Sequence, residues 1–359
     1  MNRLNGLNRI NRLNGPPKGG GISWASYWAT LISATVENAA PTDVVLTFPS
    51  EGTSVATDIT ATVNGVARNV SSASWTGVVW TVVLASAVIY GDVVVVTFVP
   101  SGGTANVTNN VSAEAELTTY ITGLATPLSD GQKLRLNTLI KSLKTGLSIT
   151  NLSDAFDVMY VLAGETSESS LRNLVKNAYY ATAVNAPTFT QYEGFTTNGT
   201  SQYLNTNFKP SEGVNYVQNS ASLGIYHRSG NYSCMGVTKD GNPRAVIQSG
   251  GSYCACNGDW WAATGGSQLA GVHILVRDAA TTLKFYQNKT QYTVNNNSSG
   301  VYNQNLFIQA VNRIDVAHNY VAGQTSFAFI GKSFSQAQCN LITDVIEEYM
   351  DNNGKGVIP

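Results

Sequence analysis

Short alternating apolar runs, each cut off within about a dozen residues by Asn, Gly, Asp or Pro, limit this chain to a mainly β fold. Val44, Leu46 and Phe48 alternate with Val45 and Thr47, the pattern of a strand with one buried face. Residues 59–63 and 66–70 flank Asn64-Gly65, a dipeptide suited to the positive φ angles of a tight hairpin. Trp75, Val79, Trp80 and residues 82–84 read as one further strand. Residues 88–90 and 93–99 follow around a Gly91-Asp92 turn. Strands at this spacing predict an immunoglobulin-like sandwich over residues 22–118. Trp24, Tyr27 and Trp28 read as core or interface packing rather than a sugar platform.

Composition narrows the function classes. Hydrophobic residues make up 43% of the 359, enough for real cores, so wholesale disorder is excluded. Charged residues are only 12%, so Asn, Thr, Ser, Gly and Gln must supply the polar surface. A net charge of −1 offers no global field for nucleic acid or an anionic membrane. No run approaches the ~20 apolar residues of a membrane span. Residues 1–15 lack the apolar core of a secretory signal. Cys234, Cys254, Cys256 and Cys339 show no zinc-knuckle or redox spacing and read first as free thiols, with a disulfide or metal site as the alternative.

The N-terminal segment keeps a strict period of three. Asn2, Asn5, Asn8, Asn11 and Asn14 form one row, and Leu4, Leu7, Ile10 and Leu13 another. In an α-helix that period drifts by about 60° per triplet; it suits three residues per turn instead. Two readings stand: an arm that docks in a groove on a partner, or a disordered low-complexity tail. Pro16-Pro17 and Gly19–21 end it, so residues 1–21 are taken as arm and linker.

Between residues 119 and 186 the period changes to 3.6, and a helical connector is expected. Leu134, Leu136, Leu139, Ile140 and Leu143 mark a first helix, led by Ser129-Asp130 and stopped near Gly146. Ser153 would cap a second helix with Phe156, Met159, Tyr160 and Leu162 inward. Ser167 would open a third with Leu171, Leu174, Val175 and Ala178. Asp154 and Asp157 would then lie one turn apart, as solvated surface charge rather than an acid–base pair. Residues 187–359 return to strands separated by Asn/Gly/Ser turns, and residues 335–350 form a terminal helix. That domain is expected to be a larger β-sandwich.

Catalytic patterns are missing from the sequence. No carboxylate pair or triad alternates along one strand, as glycoside cleavage on such a fold requires. His227, His273 and His318 are far apart, and no nucleophile elbow, phosphate loop or dinucleotide fingerprint occurs. The chain is therefore expected to be no enzyme and to need no metal or cofactor. Asp240-Gly241-Asn242 reads as an ordinary turn before a calcium corner. The carbohydrate-binding candidate is Asp259-Trp260-Trp261, a carboxylate beside two aromatics on a Gly-rich loop. Glycan contact, a subunit interface and plain core packing all remain open for these tryptophans.

Two segments carry resemblances. The run ATVENAAPTDVVLTF, then TATVNGVARNV and TVVLASAVIYGDVVVVTFVP, is similar to the Ig-like repeats of bacterial and phage surface proteins. GFTTNGTSQYLNTNFKPS, SASLGIYHRSG, VHILVRDAATTLKFYQNKTQYTV and IGKSFSQAQCNLITDVIEEYM together look like the concanavalin/laminin-G-like domain of phage structural proteins. Helical connector plus sandwich resembles a module of Bacteroidota phages, crAss-like phages among them, where it sits in head-fibre and tail-fibre proteins. The resemblance implies a virion structural protein exposed on the particle's outer surface. Its partners would be phage capsid or neck proteins, further copies of itself in a homotrimer, and a host surface glycan. A head fibre or capsid decoration leads, with a tail fibre or receptor-binding subunit as the alternative; a host cell-surface lectin is disfavoured by the missing signal.

Overall fold

The computed structural model describes residues 27–239, 241–249, 254–261 and 269–359, with the backbone alone at 241–243. Internal contacts divide the chain into two units, Met1–Ala113 and Glu114–Pro359. The first unit ends five residues before the expected boundary at 118, and the segment expected as a separate connector belongs wholly to the second.

The first unit carries eight strands: β1 (Ser33–Glu37), β2 (Ala40–Thr47), β3 (Ile59–Val63), β4 (Val66–Arg68), β5 (Val70–Thr76), β6 (Val79–Leu84), β7 (Val94–Phe98) and β8 (Gly103–Asn110). They run in the order β4-β3-β7-β8-β1-β2-β6-β5, with β1 parallel to β8 and antiparallel to β2. The ladder folds over a shared core of Val36, Val44, Leu46, Val63, Trp80 and Val96. The Asn64-Gly65 hairpin forms as expected, with φ of 53° and 78°. Asn64 also fastens that hairpin to the turn before β7: its Nδ2 donates to Asp92 Oδ1 at 2.8 Å, and its Oδ1 accepts from Val93 N at 2.9 Å. The single strand expected at 75–84 is instead two strands, because Gly77 turns the chain at φ 59° and Thr76 pairs with Val79. Tyr27 stacks on Phe48 and Trp28 on Phe98, with centroids 5.0 and 5.1 Å apart, so both are core residues. Trp24 lies outside the described residues, as do the arm residues Asn2 to Asn14.

The second unit begins with α1 (Ala115–Ile121), α2 (Asp130–Leu147), β9 (Phe156–Val161) and the one-turn helix α3 (Ser167–Ser170). Short strands follow: β10 (Thr182–Val184), β11 (Thr188–Thr190), β12 (Gly194–Thr196) and β13 (Tyr203–Asn205). The long strands are β14 (Ala221–Gly230), β15 (Cys234–Lys239), β16 (Gly241–Gln248), β17 (Ala255–Gly258), β18 (Gly271–Ala279), β19 (Thr282–Gln287) and β20 (Thr290–Asn295). β21 (Phe307–Ile308), β22 (Val311–Arg313), β23 (Val316–His318), β24 (Gly323–Gly331) and α4 (Gln336–Asn352) complete it.

These strands make a two-sheet sandwich. One sheet runs β10-β13-β21-β15-β16-β17, with β22 parallel to β15 and β23 beyond it. The other runs β11-β12-β24-β14-β18-β19-β20, and β9 shares the β24 edge. Leu204, Met235, Val237 and Ile247 of the first sheet meet Leu223, Ile225, Leu275 and Phe285 of the second. Helices cover the outer face of the second sheet. Phe327 meets Tyr349 of α4 edge-on at 5.4 Å, and Tyr226 donates to Glu347 Oε2 at 2.6 Å. The Ser335/Gln338 capping box starts α4 as its sequence implies.

The expected second helix is a strand. β9 is buried at every position, so apolar residues recur without a one-sided period, and a fully buried strand then reads like a helix. The third helix stops after one turn, and Asn173 takes over: its Oδ1 accepts from Met159 N and Val175 N. α2 exists, capped by Ser129, but runs to Leu147 and closes on Ser148 in the left-handed region. Gly146 serves packing instead of termination: a Cβ there would lie 2.4 Å from Leu341 Cδ2, so the small residue lets α2 approach α4.

Candidate functional site

The outer face of the first sheet of the second unit bears a groove. On β15 and β16, Met235, Val237, Ala245 and Ile247 point into the sandwich, which turns Cys234, Arg244, Val246 and Gln248 outward. An outward face is normally polar, yet Cys234 and Val246 join Val311 and Val321 in a small apolar cluster, with Tyr232 packed against it. That cluster is the floor of a cavity of about 370 Å³, walled by Tyr232, Gln248, Trp260 and Asn319. A second depression of about 240 Å³ shares Trp260, Val311 and Asn319 with the first and continues to Lys239, Arg244, Arg313 and His318.

The loop after β17 supplies the wall. Cys254 and Trp261 pair through backbone bonds of 2.9 and 2.8 Å, which closes residues 254–261 as a tight hairpin. Within it Trp260 is 37% exposed, whereas Trp261 packs against the sandwich core. Asp259 ion-pairs with Arg244, and its Oδ1 also accepts from Trp260 N at 2.7 Å. The Arg244 guanidinium lies over the Trp260 ring at 5.0 Å, a cation–π contact that fixes the indole in place. Asn296 Nδ2 donates to the Asp259 carbonyl at 3.1 Å and ties the loop to the end of β20.

The three residues expected at the site therefore have three different places. Trp260 lines both depressions. Asp259, expected as an acceptor for sugar hydroxyls, holds Arg244 and the loop instead. Trp261 serves the core. Sequence reasoning missed Tyr232, Gln248, Arg313 and Asn319, which reach the groove from strands and turns up to about ninety positions away; no linear motif joins them. Asp240 of the expected turn lies outside the described residues.

Other polar groups have structural explanations. Asp157 sits in β9, not on a helix, and its carboxylate accepts from the backbone N–H of Val214, Asn215 and Tyr216 at 2.8 to 3.1 Å. Asp154 caps the turn before β9 through Thr150 N and Asn151 N. Arg277 is fully buried and donates to the carbonyls of Cys256, Ala279, Ala280 and Asn296, clamping the hairpin ends together. All four cysteines are buried thiols without a disulfide, and burial pushes their pKa values up to between about 11 and about 12. Among the described residues no helix is long and apolar enough to cross a membrane.

No family model and no curated protein matches this chain. Solved structures that align with it include domain 4 of an extracellular arabinanase from Geobacillus stearothermophilus, solved in complex with arabinotriose. That domain is 12% identical with a TM-score of 0.35, over 53% of this chain and 98% of its own. The binding domain of botulinum neurotoxin serotype D aligns at 9% identity and a TM-score of 0.34, over 54% of this chain and 51% of that one. A Trypanosoma rangeli sialidase mutant with trans-sialidase activity aligns at 9% and 0.36, over 81% of this chain and 44% of that one. The alignments thus span about half or less of the toxin domain and the sialidase. At this level the likenesses carry no argument about activity or ligand.

Proposed function

We propose that this chain is a virion structural protein, a head fibre or capsid decoration subunit, whose second unit binds glycan weakly without cleaving it. The virion setting rests on the sequence resemblances. The binding assignment rests on one observation: an exposed Trp260, held by Arg244 and Asp259, walls a groove with an apolar floor and amide groups from Gln248 and Asn319. A pyranose presents one apolar face and a rim of hydroxyls, which an indole face and planar amides complement. Binding rather than hydrolysis is favoured because no carboxylate is among the described lining residues, while glycosidases need two flanking one bond.

Stacking on one aromatic adds on the order of 1 kcal/mol beyond area burial, so a single groove would bind near ~1 mM. Many copies on one particle convert that into avidity. The test is a glycan array probed with the multimerised full-length protein and with Trp260→Ala. The proposal expects discrete oligosaccharide signals that Trp260→Ala removes with the thermal melting curve unchanged. Signals that survive the substitution would place binding elsewhere.

A further inference from the structure

Gln248 is a polar group of the groove that the fold itself leaves without a partner. We propose that the groove selects sugars carrying an acetamido substituent, whose amide pairs with Gln248 while its methyl rests on the floor of Cys234, Val246, Val311 and Val321; this deepens the glycan-binding reading above and rests on it. Gln248 is only 8% exposed and lines the cavity, and its side-chain amide makes no hydrogen bond among the described residues. A buried amide left unpaired costs stability, so its place in this cavity points to a ligand group that both donates and accepts.

The strand register sets that amide beside the apolar floor. Cys234 and Gln248 are direct antiparallel partners on β15 and β16, and Val246, two positions before Gln248, shares its face. Val311 and Val321 complete the cluster around Cys234 and Val246. The Cys234 thiol adds no charge: burial pushes its pKa up to about 12, and it acts as a small apolar surface. An amide next to an apolar floor matches a ligand in which an amide and a methyl are adjacent. A hydroxyl alone would satisfy Gln248 and leave the floor against water. A methyl alone would cover the floor and leave Gln248 unpaired. The acetamido group meets both demands. At about 370 Å³ the cavity lies at the low end of the about 300–1,000 Å³ of small-molecule sites, a size suited to one substituted ring stacked on Trp260.

The experiment titrates the full-length protein with N-acetylglucosamine against glucose and N-acetylgalactosamine against galactose, each as its methyl glycoside, read by saturation-transfer NMR. Within a pair, wild type is expected to bind the acetamido member about tenfold more tightly, with the strongest saturation on the acetyl methyl. Gln248→Leu keeps an apolar side chain of similar size but leaves the ligand amide unpaired, and is expected to bring the ratio to about one with the thermal melting curve retained. Equal binding within the pairs, or saturation confined to ring protons, would overturn the acetamido preference and leave the glycan reading standing. A preference that survives Gln248→Leu would overturn the assignment to Gln248. No binding of these four sugars, by a protein that gives Trp260-dependent signals on the glycan array, would overturn the preference alone; silence in both experiments would overturn both readings.

Discussion

Asp157 reads in the sequence as solvated charge on a helix surface and is instead a buried acceptor on β9. Its carboxylate gathers the three backbone N–H groups of the 214–216 turn, that of buried Tyr216 among them. Asp157→Ala should cost about 2 kcal/mol in a denaturant titration, because three backbone donors lose a charged acceptor and the Tyr216 N–H stays buried. A change below about 0.5 kcal/mol would mean that the turn finds other partners. The two buried histidines give a pH signature. Burial holds His227 and His273 down to about 4, and Nε2 of His273 lies 2.9 Å from the Leu269 carbonyl, the geometry of a neutral ring donating a hydrogen bond. The unfolded chain therefore takes up protons first as pH falls. Their contribution is fully present above pH ~6.5 and is lost as pH falls toward 4, by about 2 kcal/mol for each group at pH 5. Denaturation at pH 7 and pH 5 should show that loss, and a His227→Gln/His273→Gln variant should show a flatter profile.

At the scale of elements, legibility followed turn residues and one-sided burial. The hairpin at Asn64-Gly65 was readable because its turn demands positive φ, and α4 because its apolar residues keep a helical period. β14 and β18 are buried on both faces yet were readable as short apolar runs bounded by Asn, Ser, Gly or Asp. β9, equally buried on both faces, was not, since its apolar residues also fit a helical spacing. β8 and β20 were missed for the opposite reason: polar residues dominate both, and pairing with neighbours rather than side-chain pattern makes them strands. The candidate site was legible only at Trp260, because the groove assembles from β15, β16, β22 and the 254–261 hairpin, which only the fold brings together. The two adjacent tryptophans separate cleanly. Trp261→Ala should lower stability by about 3 kcal/mol through lost packing, while Trp260→Ala should change it by less than about 1 kcal/mol. Equal losses would make both residues structural and remove the named wall of the groove.

At the scale of the whole molecule, the proposed function assigns docking to the N-terminal region and glycan contact to the second unit. Because Met1–Ala113 and Glu114–Pro359 are separate compact units, residues 114–359 expressed alone should melt cooperatively and keep the groove. On the proposed virion role, deletion of residues 1–20 should abolish incorporation into particles, measured by occupancy, without altering that melt. A homotrimer is the expected assembly, and a stable monomer in sedimentation at micromolar concentration would remove it. The glycan claim is tested most directly by a crystal structure of the full-length protein with the tightest oligosaccharide from the array. The account predicts a sugar ring parallel to the Trp260 indole, with polar ring substituents on Gln248 and Asn319. A ligand bound away from Trp260, or the groove filled by a segment of a second copy, would contradict it.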